Sequence, residues 1–158
     1  MHRWRSLLFI AATGCSWLPS DTPAKKPRPT DPDVAEIAHE WTVENHVLAG
    51  NAALTDADAN ENLGRKVVIT PTSYRSMFVG SCDESARQKT DRVFADVLTE
   101  LDLAGEARDT AIKFGFGDPM TEYRLTCPGN AKAVPLVIYI SGKRAMTCAG
   151  GVCYLLSR

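Results

Sequence analysis

The 158-residue sequence predicts an α+β, β-rich fold, either a small antiparallel barrel or a strongly bent sandwich, with one inserted helix at about residues 85–103. Three observations support this fold class. Short stretches after residue 34 have alternating or continuous apolar residues, which is typical of strands. Glycine turns separate the last three stretches and indicate an antiparallel meander. A single long segment carries apolar residues at helical spacing.

The first half of the predicted domain holds three strands and one short helix. The helix begins after Thr55, a good N-cap residue, and ends at Gly64, which suits a C-terminal cap. Residues 34–41 are compatible with either a short helix or the approach to a strand. The predicted strands are 41–47, 66–70 and 74–79, and the predicted helix is 54–64.

The second half combines the inserted helix with the meander. Val93, Val97, Leu98 and Leu101 fall at helical spacing and define the helix at about 85–103. A shorter helix or turn follows, and a glycine-rich loop then connects to the last strands. The remaining predicted segments are a helix or turn at 106–114, the loop at 115–119, and strands at 123–127, 134–140, 144–148 and 152–156.

The N-terminus has the layout of a secretory signal. His2, Arg3 and Arg5 form a cationic head, residues 7–12 are apolar, and small residues lead to Cys15. The ending Ala-Thr-Gly-Cys resembles the lipobox of bacterial lipoproteins, although alanine stands where that family usually has leucine. The resemblance implies that residues 1–14 are removed as a signal peptide and that Cys15 is acylated, with a lipid membrane as its partner.

A proline-rich segment follows Cys15. Dense proline favours extended chain and excludes helix, so residues 15–33 are predicted to be a tether for a domain at 34–158. Ser16 follows the cysteine, and by resemblance to lipoproteins of diderm bacteria a residue other than aspartate implies the outer membrane, facing the periplasm. The five prolines of the segment are Pro19, Pro23, Pro27, Pro29 and Pro32.

The four other cysteines predict a disulfide framework. Lipidation of Cys15 leaves an even number that can pair in an oxidising compartment. Cys148 and Cys153 bracket a hairpin turn, which predicts their pairing and a stiff tip suited to binding, and leaves Cys82 with Cys127. Spacing alone allows three pairings. A zinc site is the alternative, but no Cys-x-x-Cys pair is present.

No motif predicts a catalytic or cofactor site. His39 and His46 are read as exposed or half-buried polar residues. The series Asp56-x-Asp58-x-Asn60 is similar to the start of a calcium loop, but Glu61 replaces the needed glycine, so a capped helix explains it better. We therefore predict no catalytic residue, no metal and no cofactor.

These features predict a membrane-anchored binding module. Loss of Arg3 and Arg5 with the signal would leave 16 of the 18 basic residues against 19 acidic ones, which argues against nucleic acid. The expected partner is an envelope protein, with inhibition of a cell-wall enzyme or toxin as one form, or a small apolar ligand. At the level of architecture alone, the chain is broadly similar to small lipocalin-like and lysozyme-inhibitor β-barrel lipoproteins. The alternatives are a structural or assembly protein of the cell envelope and, less favoured, a hydrolytic enzyme.

Overall fold

The computed structural model describes residues 32–158; Cys15, the predicted signal and the tether up to residue 31 lie outside the described residues. The described elements are α1 Pro32–Ile37, β1 Glu40–Leu48, α2 Asp56–Asn60, β2 Lys66–Ile69, β3 Tyr74–Ser76, β4 Gly80–Cys82, β5 Ala86–Arg92, α3 Phe94–Glu100, α4 Glu106–Phe114, β6 Met120–Thr126, β7 Leu136–Ser141, β8 Arg144–Ala149 and β9 Val152–Ser157. Together they form the predicted β-rich α+β fold.

All nine strands belong to one antiparallel sheet that curls into a half-barrel. Its order is β4-β3-β2-β1-β9-β8-β7-β6-β5, so two consecutive meanders are joined where β1 pairs with β9. The outermost strands β4 and β5 are neighbours in the chain. Near their junction, Ser85 N donates to Thr72 O at 2.7 Å and Arg87 Nη2 donates to Thr70 O at 2.6 Å. These bonds draw the two sheet edges together at one end, and we call this junction the β4–β5 seam.

The concave face of the sheet is filled by its own side chains. Trp41, Tyr74, Tyr123 and Tyr154 are each at most 1% exposed. Ile37 of α1 and Ala59 of α2 belong to the same buried cluster, so these two helices close the concave side. Apolar side chains therefore occupy the space that a wider barrel would leave for a ligand.

The convex face is buried under α3 and α4. The sheet residues of this second cluster pack against buried helix residues that include Val97, Leu98 and Ala111. Burial on both faces explains why β7 and β9 have nearly continuous apolar sequences. The main sheet contributions to this cluster are Val47, Tyr139, Met146, Cys153 and Leu155.

The prediction of one helix at about 85–103 is wrong for its first half, residues 86–92. Residues 86–92 form β5, which pairs with β6 along its whole length, and the helix α3 covers only Phe94–Glu100. The apolar residues at helical spacing begin at Val93, so residues 86–92 had no apolar face to bury as a helix. Their polar, mostly exposed side chains suit an edge strand.

The predicted tether at 15–33 was expected to exclude helix, but its last two residues belong to helix α1. Helix α1 begins at Pro32, and proline is well tolerated at the first helical position because its missing N–H would have no partner there. Trp41 Nε1 donates to Ile37 O at 3.1 Å and Tyr123 Oη donates to Glu36 Oε2 at 2.5 Å. The segment 34–41, ambiguous in sequence, thus contains both: a helix to Ile37 that is tied to β1 and β6, and then the start of β1 at Glu40.

Both predicted disulfides are present. Cys82 bonds to Cys127 across 45 residues, and Cys148 bonds to Cys153 across 5. The first joins β4 to the end of β6 beside the β4–β5 seam. The second links directly opposed positions of the β8–β9 hairpin.

The β8–β9 turn does not project as the predicted stiff tip. Ala49 N donates to Gly151 O at 2.8 Å, and Ala53 N donates to Gly150 O at 3.2 Å. Gly151 has a φ of 79°, and a Cβ there would lie 2.5 Å from Ala52 Cα. The turn is therefore packed on the loop after β1, and the short disulfide holds a docked turn.

Candidate functional site

A β-bulge in β1 sets up the candidate site. Val43 pairs with Leu156 and Asn45 pairs with Leu155, which leaves Glu44 as the extra residue. The insertion reverses the alternation of faces, because it moves every later side chain to the opposite side. His46 consequently lies opposite Tyr154, on the side of the concave face, while Val47 lies opposite Cys153 on the convex side.

The second half of β1 has a free edge. β2 pairs with β1 only at residues 40–42, whereas residues 45–48 pair with β9 alone. The backbone N–H of His46 is occupied by its neighbour, because Asn45 Oδ1 accepts from it at 2.8 Å. The exposed Asn45 side chain thus accepts the hydrogen bond that a carbonyl of an adjacent strand would otherwise accept.

Helix α2 delivers a carboxylate to this edge. Thr55 and Asp58 form a reciprocal capping box, with Thr55 N donating to Asp58 Oδ2 at 3.0 Å. Asp58 is therefore occupied at the helix start and Asp56 is directed elsewhere. Asp56 Oδ2 accepts from Asn60 Nδ2 at 3.0 Å, and Asp56 Oδ1 lies 2.8 Å from His46 Nε2.

The two partners of the His46–Asp56 pair differ sharply in burial. The side chain of His46 is only 6% exposed, whereas that of Asp56 is 73% exposed. The other ring nitrogen, Nδ1, is buried and has no hydrogen-bond partner among the described residues. Tyr74 Oη is also buried without one, but it lies in the concave core. A buried polar atom without a partner is costly, which marks His46 as unusual for a residue of structural role alone.

Helix α4 forms the opposite wall. Glu106, in its first turn, is exposed and complements the positive end of the helix, as Asp56 does for α2. Between the helices a cleft of about 380 Å³ follows the free edge of β1. We call it the His46 cleft; it is lined by His46, Val47, Leu48, Asp56, Ala104, Glu106, Ala107 and Thr110.

The charged groups that line the His46 cleft are all acidic, and the rest of the lining is largely apolar. Two carboxylates face it, and no lysine or arginine is among the lining residues. In the neutral ring with Nε2–H donating to Asp56, Nδ1 of His46 is an acceptor, but it is buried beneath the cleft surface. These two carboxylates complement a ligand group that only donates hydrogen bonds. Service as a general base would require His46 Nδ1 to reach the surface, since a base must contact the proton that it removes.

The other residues singled out in the sequence have structural roles. His39 packs edge-on against Trp41, and burial, followed by the nearby Arg158, lowers the pKa of His39. Asp56, Asp58 and Asn60 lie in the predicted capped helix, where Asp58 completes the capping box and Asp56 also lines the cleft. In the loop at 115–119, Asp118 Oδ1 accepts from Phe94 N at 2.8 Å and so caps α3.

Sequence reasoning missed the link between His46 and Asp56. The two residues lie in different elements, ten positions apart, and each has an ordinary local explanation. The one local signal was the pair of acidic helix starts, but nothing in the sequence indicated that both starts face the same strand edge.

In comparisons with known proteins, no family model, curated protein or solved structure matches this chain. Within residues 32–158, no group of three or more His, Cys, Asp or Glu side chains is placed to hold a metal ion. None of the helices in that range is both long and apolar enough to cross a membrane.

Proposed function

We propose that this chain is a lipoprotein of the bacterial cell envelope, anchored through Cys15, whose periplasmic domain binds a protein partner at the His46 cleft. The observation that carries the proposal is the cleft itself. It combines a free strand edge with a histidine that is only 6% exposed and has an unpartnered Nδ1. Partner binding is a common use of an open edge, because backbone groups there still have hydrogen bonds to make.

The filled concave face favours a protein over a small apolar ligand. The interior positions where a barrel would hold such a ligand carry Trp41, Tyr74 and Tyr154, all fully buried. The two disulfides favour an oxidising compartment outside the cytoplasm. A structural or assembly role in the cell envelope is the alternative, in which the domain contacts peptidoglycan or an outer-membrane complex.

Site-specific photocrosslinking in the cells that make the protein tests the binding role. A benzophenone amino acid replaces Thr110 in the cleft or, as a control, Lys132 in an exposed loop. We expect one defined adduct from position 110 and none from position 132, with the adduct lost when Asp56→Lys reverses the charge of the wall. Absence of an adduct from position 110, or the same adducts from both positions, overturns the proposal.

The anchor is tested separately. Cys15→Ala removes the only acylation site that the lipobox provides, so the protein is expected to leave the membrane fraction, while Ser16→Ala leaves it there. Unchanged membrane fractionation of Cys15→Ala contradicts lipidation without affecting the cleft.

A further inference from the structure

We infer that the His46 cleft binds an extended peptide segment that pairs with the free half of β1 and places a lysine or arginine between Asp56 and Glu106. This inference rests on the proposed function and names the chemistry of the partner. Its two parts, backbone pairing and recognition of a cation, come from different observations.

Backbone pairing follows from the phase of the hydrogen bonds along β1. Asn45 and Val47 face β9, as does Ala49, whose N–H donates to Gly151 O. In an antiparallel strand the N–H and C=O of one residue point to the same side, so those of His46 and Leu48 point to the free edge. Asn45 Oδ1 already occupies the His46 N–H, which shows that this donor is available on that side. The open stretch of four residues spans about 13 Å.

The cation follows from the walls of the cleft. Asp56 and Glu106 stand on the two helices that flank the edge, and both are exposed. His46 Nε2 lies 2.8 Å from Asp56 Oδ1 and so holds this carboxylate in place at the edge. Lysine and arginine side chains are donors only, so they complement a site of acceptors. The absence of lysine and arginine from the cleft lining leaves the two carboxylates for a cation supplied by the partner.

The experiment titrates the full chain, purified in detergent micelles, with synthetic peptides and follows its backbone amides by NMR. The probes are capped, threonine-rich nonapeptides with a central lysine, glutamine or glutamate. We expect the lysine peptide to shift the amides of residues 45–48 and to bind about tenfold more tightly than the glutamine peptide, corresponding to two modest ion pairs. Asp56→Asn and Glu106→Gln should each weaken it about threefold. Asp91→Asn, an exposed carboxylate on β5, is the matched control and should change nothing.

Two further arms test the pairing itself. Two N-methylated versions of the lysine peptide are compared, one methylated at the odd residues and one at the even residues. Each blocks the hydrogen bonds of one edge, so one version should lose binding and the other should keep it. Asn45→Ala frees the His46 N–H and should leave the lysine peptide bound at least as tightly as before. Equal effects of both methylation phases, or weaker binding by Asn45→Ala, overturn the inference.

The outcomes separate the inference from the proposed function. Cleft adducts in cells combined with no response to the lysine peptide overturn the inference and leave the binding role standing. A peptide response without cleft adducts shows an opportunistic strand edge and overturns both.

Discussion

At both the β4–β5 seam and the His46 cleft, a strand has no hydrogen-bonded neighbour on one edge. The edge is closed by other bonds at the seam and stays open at the cleft. At the seam, a disulfide and hydrogen bonds to Thr70 and Thr72 draw the outer strands together. At the cleft, three residues of β1 line a cavity, and the Asn45 side chain accepts the hydrogen bond that an adjacent strand would otherwise take from His46 N.

The difference extends to the polar groups of each region. Next to the seam, α1 crosses to β5 and β6, where Lys89 Nζ donates to Asp33 Oδ1 at 2.7 Å and Tyr123 Oη donates to Glu36. In the cleft, His46 Nδ1 has no partner. A fully bonded polar network stabilises the fold, whereas a polar group left without a bond costs stability and is retained at sites with another role. The bonded groups of α1 beside the seam therefore indicate a structural role there, and the open edge with its unpartnered His46 Nδ1 supports the binding role proposed for the cleft.

The largest expected effect is loss of the seam disulfide. Replacing Cys82 and Cys127 together by serine should lower the free energy of unfolding by about 4 kcal/mol, because the bond closes a long loop of the unfolded chain. The same change at Cys148 and Cys153 should cost about 2 kcal/mol, because that loop is short. Urea unfolding of the two double variants measures both values. An equal or greater loss from the short loop would contradict this account of the seam.

The polar network of α1 should give the next largest effect. Tyr123→Phe removes the hydrogen bond to Glu36 and should cost about 1 kcal/mol. Thr90→Ala, at an exposed position of β5, is the control and should cost less than about 0.5 kcal/mol. Hydrogen exchange should show faster opening of α1 only in the tyrosine variant. Unchanged protection of α1 would show that the network does not hold this helix.

The same network predicts instability at alkaline pH. Burial, reinforced by Glu36, raises the pKa of Tyr123, and the hydrogen bond to Asp33 raises the pKa of Lys89. A raised pKa in the folded state means that the proton binds more tightly there than in the unfolded chain. The stabilisation is therefore complete below about pH 10 and is lost as the pH rises above it. Urea unfolding at pH 9 and pH 11 should show a smaller decrease for Tyr123→Phe than for the wild type.

The smallest stability effect is expected in the cleft. His46→Leu removes a ring whose Nδ1 has no partner and frees a carboxylate that is already 73% exposed, so it should change stability by less than about 1 kcal/mol. Val47→Ala, its buried neighbour, should cost about 2 kcal/mol. His46→Leu should nevertheless reduce crosslinking from position 110. If His46→Leu lost much stability but crosslinked from position 110 as before, His46 would be a core residue. The contrast between a stabilising seam and a binding cleft would then fail.

Much of the fold was predictable because its signals are local. Val67, Val68 and Ile69 of β2 are apolar and β-branched, and the last two strands are joined by glycines that a tight turn requires, so both were found from sequence. The disulfide pairing followed from the hairpin around Cys148 and Cys153. Residues 86–92 were misassigned because their polar side chains carry no pattern of their own. Pairing with β6 decides their conformation.

The candidate site was not predictable for the same reason. Local rules explain Asp56 as part of a capped helix, Glu106 as a helix start and His46 as a strand residue. The bulge after Val43 then moves His46 to the concave side, and the sheet places both helix starts beside it. None of these steps has a signature in a short window of sequence.

The sequence by itself determined the elements with strong periodicity, the turns that need glycine and the cysteine pair of the last hairpin, because each depends on neighbours within a few residues. Tertiary structure alone decided that β1 and β9 join the two meanders, that β5 is a strand, and that half of β1 has a strand neighbour on one edge only. Those outcomes depend on contacts between residues far apart in the chain, where burial and pairing outweigh local preference.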